Sequence, residues 1–349
     1  MSAQQALAVI YFGEHLEKVA RIIPTPGENQ VLVKVTVAGL NPSDQKARDY
    51  DIFQWSHRLP AVIGSDVVGS VVAAGPGSHH GDLPPGTRVM TESNLHGTND
   101  ETALQEYVVA DVPFTARVPD NLSDADAAVF PTNGVTAAVA LFDESGLKIP
   151  FPSTPASASF DYKSQTLLIM GGGNVSKLAT QFAKVAGIGT IIVIAGSYHA
   201  VELRAYGATH VIDRKLSDEE IFSKVREIVG DDLIYAFDAV GAPNTVNLAV
   251  SLLSDSKKGS LAKVLPTPPD AAIAQKKSNG FDDLMVFGSS HAHPEVGALF
   301  WKALPTWIEK GLVKPLRYAV VQGLDVDKVN LILNDMRDDK NKSRWHVRI

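Results

Sequence analysis

The stretch Gly64-Ser65-Asp66-Val67-Val68-Gly69-Ser70-Val71-Val72-Ala73-Ala74-Gly75 constrains this chain more than any other part of it. It runs Gly-x-Asp-x-x-Gly-x-Val-x-x-x-Gly, with its glycines set among β-branched strand formers. Glycine weakens a strand, so its repeated use inside one marks places where another backbone comes too close for a side chain. The flanking sequence has the same character. Residues 30–38 (QVLVKVTVA) alternate apolar and polar, the period of a half-buried strand. Residues 61–74 are rich in valine, Pro84-Pro85-Gly86 turns the chain into a strand at 87–90, and 103–110 (ALQEYVVA) reads as another. Several short strands joined by Gly/Pro turns predict a compact, barrel-like all-β domain.

Near Ser123 the pattern changes. Ser123 is placed as an N-cap with Asp126 in the first turn, which predicts a helix over 124–142. Residues 146–164 are rich in Pro and Ser and read as a loop outside the core. Beyond it the period switches to βα units. The predicted strands are 166–170, 190–194, 211–212 and 233–239, and the helices between them are 177–186, 200–206 and 218–229. Continuous apolar runs such as Thr166-Leu167-Leu168-Ile169-Met170 suit strands buried on both faces of a parallel sheet. Alternating βαβα with short joints predicts a doubly wound sheet. A strand at 284–287, a helix at 295–311 and a strand at 345–349 that must find a partner complete the reading.

At 349 residues the chain exceeds the roughly 250–300 residues of a single core, so two domains are expected. A net charge of -7 with a pI near 5.8 argues against a nucleic-acid partner, which needs a basic patch. The absence of cysteine excludes disulfides, thiolate metal sites and a cysteine nucleophile. No signal-peptide pattern opens the chain and no uninterrupted apolar run reaches about 18 residues, so a cytoplasmic protein with no membrane partner is expected.

Five motifs together resemble the medium-chain dehydrogenase/reductase superfamily. They are the opening stretch, the turn Gly171-x-Gly173-x-x-Ser176, Gln181-Phe182-Ala183-Lys184, Leu203 followed by Tyr206-Gly207-Ala208-Thr209-His210-Val211-Ile212-Asp213, and Phe237-Asp238-Ala239-Val240-Gly241. The resemblance implies an α/β fold with a GroES-like β-barrel catalytic domain and a Rossmann cofactor domain. The catalytic domain is discontinuous, residues 1–122 and 290–349, around a dinucleotide-binding domain of residues 123–289. Zinc-dependent members carry His-Glu after the first glycine, and that histidine binds zinc; here the pair is Ser65-Asp66. Asn41 stands where zinc alcohol dehydrogenases place a cysteine ligand. The chain is more similar to the zinc-independent branch of quinone oxidoreductases and fungal trans-acting enoyl reductases, which implies hydride chemistry without a metal.

The turn at 171–176 joins a strand to a helix, the context in which pyrophosphate meets backbone N–H groups. The resemblance therefore implies cofactor contacts from Gly171, Gly172, Gly173, Asn174, Val175, Ser176 and Lys177, with Val240 and Gly241 opposite. Ser176 replaces the third glycine of the pattern and leaves the phosphate geometry open. After the second strand come Ala195, Gly196, Ser197, Tyr198 and His199, with no carboxylate to accept a ribose 2′-hydroxyl. Ser197 and Tyr198, with Lys177 or Arg204 to neutralise a 2′-phosphate, point to NADPH.

For the reaction centre, Ala38-Gly39-Leu40-Asn41-Pro42-Ser43-Asp44-Gln45-Lys46 resembles the Asn-Pro-x-Asp-x-Lys segment of the enoyl reductases. The resemblance makes Asn41 an orienting amide and Lys46 a cation near a carbonyl or phosphate. Thr136 matches the threonine that lies close to the nicotinamide. Tyr50, in the loop taken to follow the Asn-Pro segment, is a candidate proton donor, with solvent as the alternative. Asp66 is expected to fix the strand end and not to do acid–base work. His79-His80 and His291-x-His293 lack ligand spacing backed by carboxylates, so no metal site is assigned. The substrate is then a small molecule, an enone, an enoyl thioester or a quinone. A cofactor-binding interaction protein with little turnover, and a zinc alcohol dehydrogenase, stay open beside these. Members of the superfamily form dimers, tetramers and monomers, so a homodimer is one assembly the resemblance allows.

Overall fold

The computed structural model describes residues 2–77, 83–340 and 343–349. The chain divides into two compact units: Met1–Thr132 with Trp301–Glu309 and Pro315–Ile349, and Asn133–Phe300 with Lys310–Lys314.

The first unit is built on a seven-stranded sheet. Its order is Ala319–Gln322, Trp345–Arg348, Gln30–Leu40, Asp66–Ala74, Arg88–Glu92 and Thr115–Arg117, with Tyr107–Asp111 also on Gln30–Leu40. Leu16–Ile22, Ala3–Val9 and Ala61–Val62 form a second sheet of three strands. The glycines of the opening stretch sit at close backbone approaches: a Cβ on Gly69 would lie 2.1 Å from the Lys34 carbonyl oxygen of the neighbouring strand, and one on Gly75 1.9 Å from that of Gly27. Of the valines between them, Val67 and Val71 enter one core with Val33, Val35, Val89, Val108 and Val347, and Val72 is exposed. The strand at the chain end finds its partner here, because Trp345–Arg348 runs antiparallel to Gln30–Leu40 with Val347 opposite Ala38.

The second unit carries a six-stranded parallel sheet. Its order is His210–Asp213, Thr190–Ala195, Thr166–Met170, Tyr235–Asp238, Gly259–Lys263 and Phe281–Met285. Thr166–Met170 comes first in sequence and lies centrally, with the second strand on one side and the fourth on the other. The order reverses there, which makes its carboxyl end the topological switch point of the sheet, where such folds bind ligands. Leu168, Met170, Ile192, Ile194, Ala236 and Leu261 form the core beneath the helices.

Several expectations are corrected. The helix over 124–142 is two helices, Asp124–Ala127 and Pro131–Phe142, because Pro131 lacks the N–H to continue a helix and instead starts one. By length and apolarity Asp124–Phe142 resembles a membrane span, but 83% of its most apolar window is buried inside the protein. The segment 146–164 forms only short 3-10 turns, yet Leu147, Ile149 and Phe151 are buried, so it does contribute to the core. The strand expected at 284–287 is Phe281–Met285, starting earlier because Asp282 and Asp283 suit a half-exposed edge strand. The helix expected from 177 begins at Asn174, and the strand expected over 103–110 is Tyr107–Asp111. Tyr50 ends the helix Pro42–Tyr50, where a loop was expected.

Candidate functional site

In the second unit the predicted glycine turn sits at the switch point. Gly171 has φ +106, and a Cβ there would meet Val240 Cγ2 at 2.8 Å. Gly173 is the extended N-cap of the helix Asn174–Ala186, and a Cβ on it would meet nothing within 4 Å. Among the described residues no side chain caps this helix, which leaves its first N–H groups without a side-chain acceptor. Ser176 is buried and its hydroxyl donates to the Gly173 carbonyl at 3.0 Å, which ties the third-glycine position back into the turn.

The opposite lip is held by Asp238. Its carboxylate accepts from the backbone of Val240 at 2.8 Å and Gly241 at 3.0 Å, and from Thr245 Oγ1 at 2.7 Å. Burial raises its pKa above the usual carboxylate range against the pull of these donors. The turn at Gly171 thus meets the one at Val240 and Gly241, and these residues fit a dinucleotide pyrophosphate: a glycine turn at an uncapped helix N-terminus, beside a second turn held by Asp238.

Beyond the glycine turn, Ser197–His199 forms one 3-10 turn. Tyr198 is exposed and lies on the His199 ring, their centroids 4.1 Å apart. That ring covers Gly172, where a Cβ would meet it at 2.3 Å. Lys177 is buried, and its ammonium pairs with Glu202 at 2.7 Å; Glu202 in turn accepts from the Tyr206 hydroxyl at 3.1 Å. Burial and the nearby Lys177 charge hold His199 below its ordinary pKa. Arg204 is exposed and its guanidinium has no partner among the described residues. Arg214 is placed at this corner by its N–H, which donates to Ala195 at 3.0 Å. Neither Glu202 nor Arg214 was picked out from sequence. Their only signals were an acid in the first turn of the helix after the second strand and a base directly after the third.

In the first unit Asn41, Ser65 and Asp66 meet in a buried polar cluster. Asn41 caps the helix Pro42–Tyr50, and its backbone N–H donates to Asp44 Oδ2 at 2.7 Å. Ser65 Oγ donates to Asp44 Oδ1 at 2.6 Å. Asn41 Nδ2 donates to Asp66 Oδ2 at 2.7 Å, and its Oδ1 accepts from an Arg344 guanidinium N–H at 2.8 Å. The same guanidinium reaches Asp66 Oδ2 and the Ala128 carbonyl, and its Nε donates to His346 Nε2 at 3.0 Å. Thr132 N–H donates to Asp66 Oδ1 at 2.7 Å. Both members of the ion pair are essentially buried, at 1% and 0% exposure of the Arg344 and Asp66 side chains. Burial pushes the Asp44 carboxyl up to about 7 and holds the His346 imidazole far below its ordinary value, where it is neutral. Arg344 and His346 were missed from sequence, where the end of the chain read only as a strand. Their alternation around Trp345 places both on one face of it.

This cluster tests whether a catalytic zinc fits. The positions that carry ligands in zinc enzymes hold Asn41 and Ser65, and each side chain is already engaged within the cluster. A buried guanidinium supplies the positive charge, and a second cation would face it with no thiolate to hold it, while the imidazole of the cluster, His346, already accepts from that guanidinium at Nε2. The residues do not fit zinc.

The remaining candidates lie outside both clusters. Lys46 is half-buried on the helix Pro42–Tyr50, with no hydrogen bond or ion pair among the described residues. Tyr50 is 65% exposed. Thr136 lies in the second unit, where a Cβ on Gly288 would meet its Oγ1 at 2.0 Å. His293 pairs with Asp143 at 3.0 Å. His79 and His80 lie outside the described residues. Among the described residues no three His, Asp or Glu side chains cluster as metal ligands.

With this geometry in place, comparison with known proteins is informative. Residues 27–120 match the alcohol dehydrogenase GroES-like domain and residues 175–264 the zinc-binding dehydrogenase family. The dehydrogenase orsE of Emericella nidulans is 30% identical over 95% of this chain and 94% of its own. The trans-enoyl reductase tazE of Aspergillus terreus is 33% identical over 71% of this chain and 80% of its own. A mycobacterial protein solved in complex with NADPH has the same fold, with a TM-score of 0.74 at 24% identity over 99% of this chain and 100% of that one. On these matches the chain belongs to the medium-chain dehydrogenase/reductase superfamily.

Proposed function

We propose that this protein is an NADPH-dependent, metal-independent reductase that reduces the double bond of an α,β-unsaturated carbonyl, an enoyl thioester or enone. The observation that carries the reading is the buried cluster of Arg344, Asp66 and Asn41, which stands in the place of a zinc ligand set. Alcohol oxidation in this superfamily relies on that metal; reduction of an activated double bond does not. The trans-enoyl reductase similarity favours an enoyl substrate over a quinone.

The glycine turn and the turn of Val240 and Gly241 would hold the dinucleotide. Lys177, Ser197, Tyr198 and Arg214 would receive the 2′-phosphate, with Arg204 on the exposed side. NADPH is favoured over NADH by the absence of an acid at the end of Thr190–Ala195 and by the NADPH complex of the structural neighbour. When bound, the reduced nicotinamide supplies the hydride. Thr136 would donate to the carboxamide or to the substrate carbonyl. Lys46, whose ammonium is uncommitted, would stabilise the oxygen as negative charge develops on it. Asn41 positions the start of the helix that carries Lys46. The proton for the α-carbon would come from Tyr50 or from solvent, and Tyr50→Phe separates the two by whether turnover falls.

The test is NADPH oxidation with a panel of enoyl thioesters, enones and quinones. Turnover on the first two classes is expected, with Lys46→Met lowering kcat about a hundredfold at an unchanged NADPH Kd. Turnover confined to quinones would replace the substrate assignment. Tight NADPH binding without turnover on any of the panel would contradict the reading in favour of a cofactor-binding interaction protein.

A further inference from the structure

The corner expected to receive a 2′-phosphate contains its own anion. Glu202 is not a loose surface acid: its carboxylate is held from two sides, by Lys177 at 2.7 Å and by the Tyr206 hydroxyl at 3.1 Å. Its side chain is 21% exposed and that of Lys177 only 10%, so the charges meet in a partly desolvated setting where their interaction is strengthened. The ring of His199 stands 4.0 Å from the same carboxylate. Thr190–Ala195 ends without an acid, yet the helix Ala200–Tyr206 returns one to the same corner from its first turn.

Two consequences follow from the chemistry. Lys177, the most buried cation of this corner, is neutralised before any ligand arrives. A carboxylate fixed here also does what the absent strand-end acid does elsewhere, accepting a ribose hydroxyl and opposing a 2′-phosphate. We infer that Glu202 is a specificity-determining residue for the cofactor, holding down the preference for a 2′-phosphorylated dinucleotide that Lys177 and Arg214 would otherwise impose. The inference rests on the dinucleotide reading above. A 2′-phosphate must take Lys177 from Glu202, whereas a 2′-hydroxyl meets the ion pair intact and can donate to it.

The test compares Kd values for NADPH and NADH, by protein fluorescence or calorimetry, in the wild type, Glu202→Gln and Lys177→Gln. Adenosine 2′,5′-bisphosphate and 5′-AMP serve as probes of the corner alone. Glutamine keeps the length of the side chain and an acceptor for Tyr206 while removing the charge. Glu202→Gln is expected to raise the ratio Kd(NADH)/Kd(NADPH) about tenfold, the size of one carboxylate charge removed beside a phosphate near the surface. Adenosine 2′,5′-bisphosphate should tighten with it while 5′-AMP does not tighten, and Lys177→Gln should lower the ratio. Glu202→Ala gives a second reading of the same sign if the glutamine variant is poorly folded. A ratio that is unchanged or lower in both Glu202 variants overturns the inference. The wild-type ratio bears separately on the NADPH reading: equal affinity for both cofactors contradicts that reading, and the shift on removing Glu202 still decides this one.

Discussion

Arg344→Met is expected to lower the folding stability by about 3–5 kcal/mol, the cost of leaving one member of a buried ion pair without the other. Asp66 would keep its bonds to Thr132 N–H and Asn41 Nδ2 but lose its only cationic partner among the described residues, at 0% exposure. The Asn41 oxygen, the Ala128 carbonyl and His346 Nε2 would lose their donor at the same time. Arg344→Lys should recover only part of the loss, because one ammonium cannot serve four acceptors that a planar fork reaches together. The double variant Arg344→Met with Asp66→Asn should recover more than Arg344→Lys, since it removes the stranded charge and keeps an acceptor for Thr132. Urea unfolding of the four proteins checks this. A loss below about 1 kcal/mol in Arg344→Met would mean that the cluster is not holding the first unit together.

The second large effect is a pair of opposed pH slopes from the same cluster. The Asp44 carboxyl is raised from 3.8 to about 7. The folded protein therefore keeps a proton there that the unfolded chain releases above about pH 4. Its contribution to stability is complete below that pH and is lost as pH rises towards 7. His346 behaves in the opposite sense. Its pKa is held below 6.5, so the unfolded chain takes up a proton that the folded protein refuses, and stability is lost as pH falls below 6.5. Each limb has a slope of at most about 1.4 kcal/mol per pH unit, and between roughly pH 4 and 6.5 the two offset one another. Single variants should unmask them. The deficit of Asp44→Asn relative to wild type should shrink as pH rises from 4 to 7, and that of His346→Gln should shrink as pH falls from 6.5 to 4. Parallel stability curves for wild type and either variant would show that the group titrates alike in both states.

Much of this fold was legible because its signals are local. The period-two runs, the glycines that mark close strand crossings and the continuous apolar runs of the parallel sheet each follow from how a few neighbouring residues pack. The glycine turn at 171–173 and the turn at Val240 and Gly241 were readable for the same reason, as each is set by backbone geometry. What was not legible depends on residues far apart in sequence. Arg344 meets Asn41 across 303 positions, and nothing near residue 344 announces a buried arginine. Asn41 was read as an amide free to face a ligand, and the structure commits its oxygen to Arg344 and one N–H to Asp66. Phe281–Met285 was displaced in the reading because a half-exposed edge strand tolerates aspartates that a central strand would not. Lys177 was read as a free cation, since the acid that neutralises it lies 25 residues away on another helix.

The central claim is hydride delivery to an activated double bond without a metal. It is tested most directly with NADPH carrying deuterium at C4 of the nicotinamide, chelator-treated protein and an α,β-unsaturated thioester, with the product read by mass spectrometry and NMR. The account predicts one deuterium at the β-carbon and a rate unchanged by chelation. It would be contradicted by a product without deuterium, or by activity that disappears with the chelator and returns with zinc.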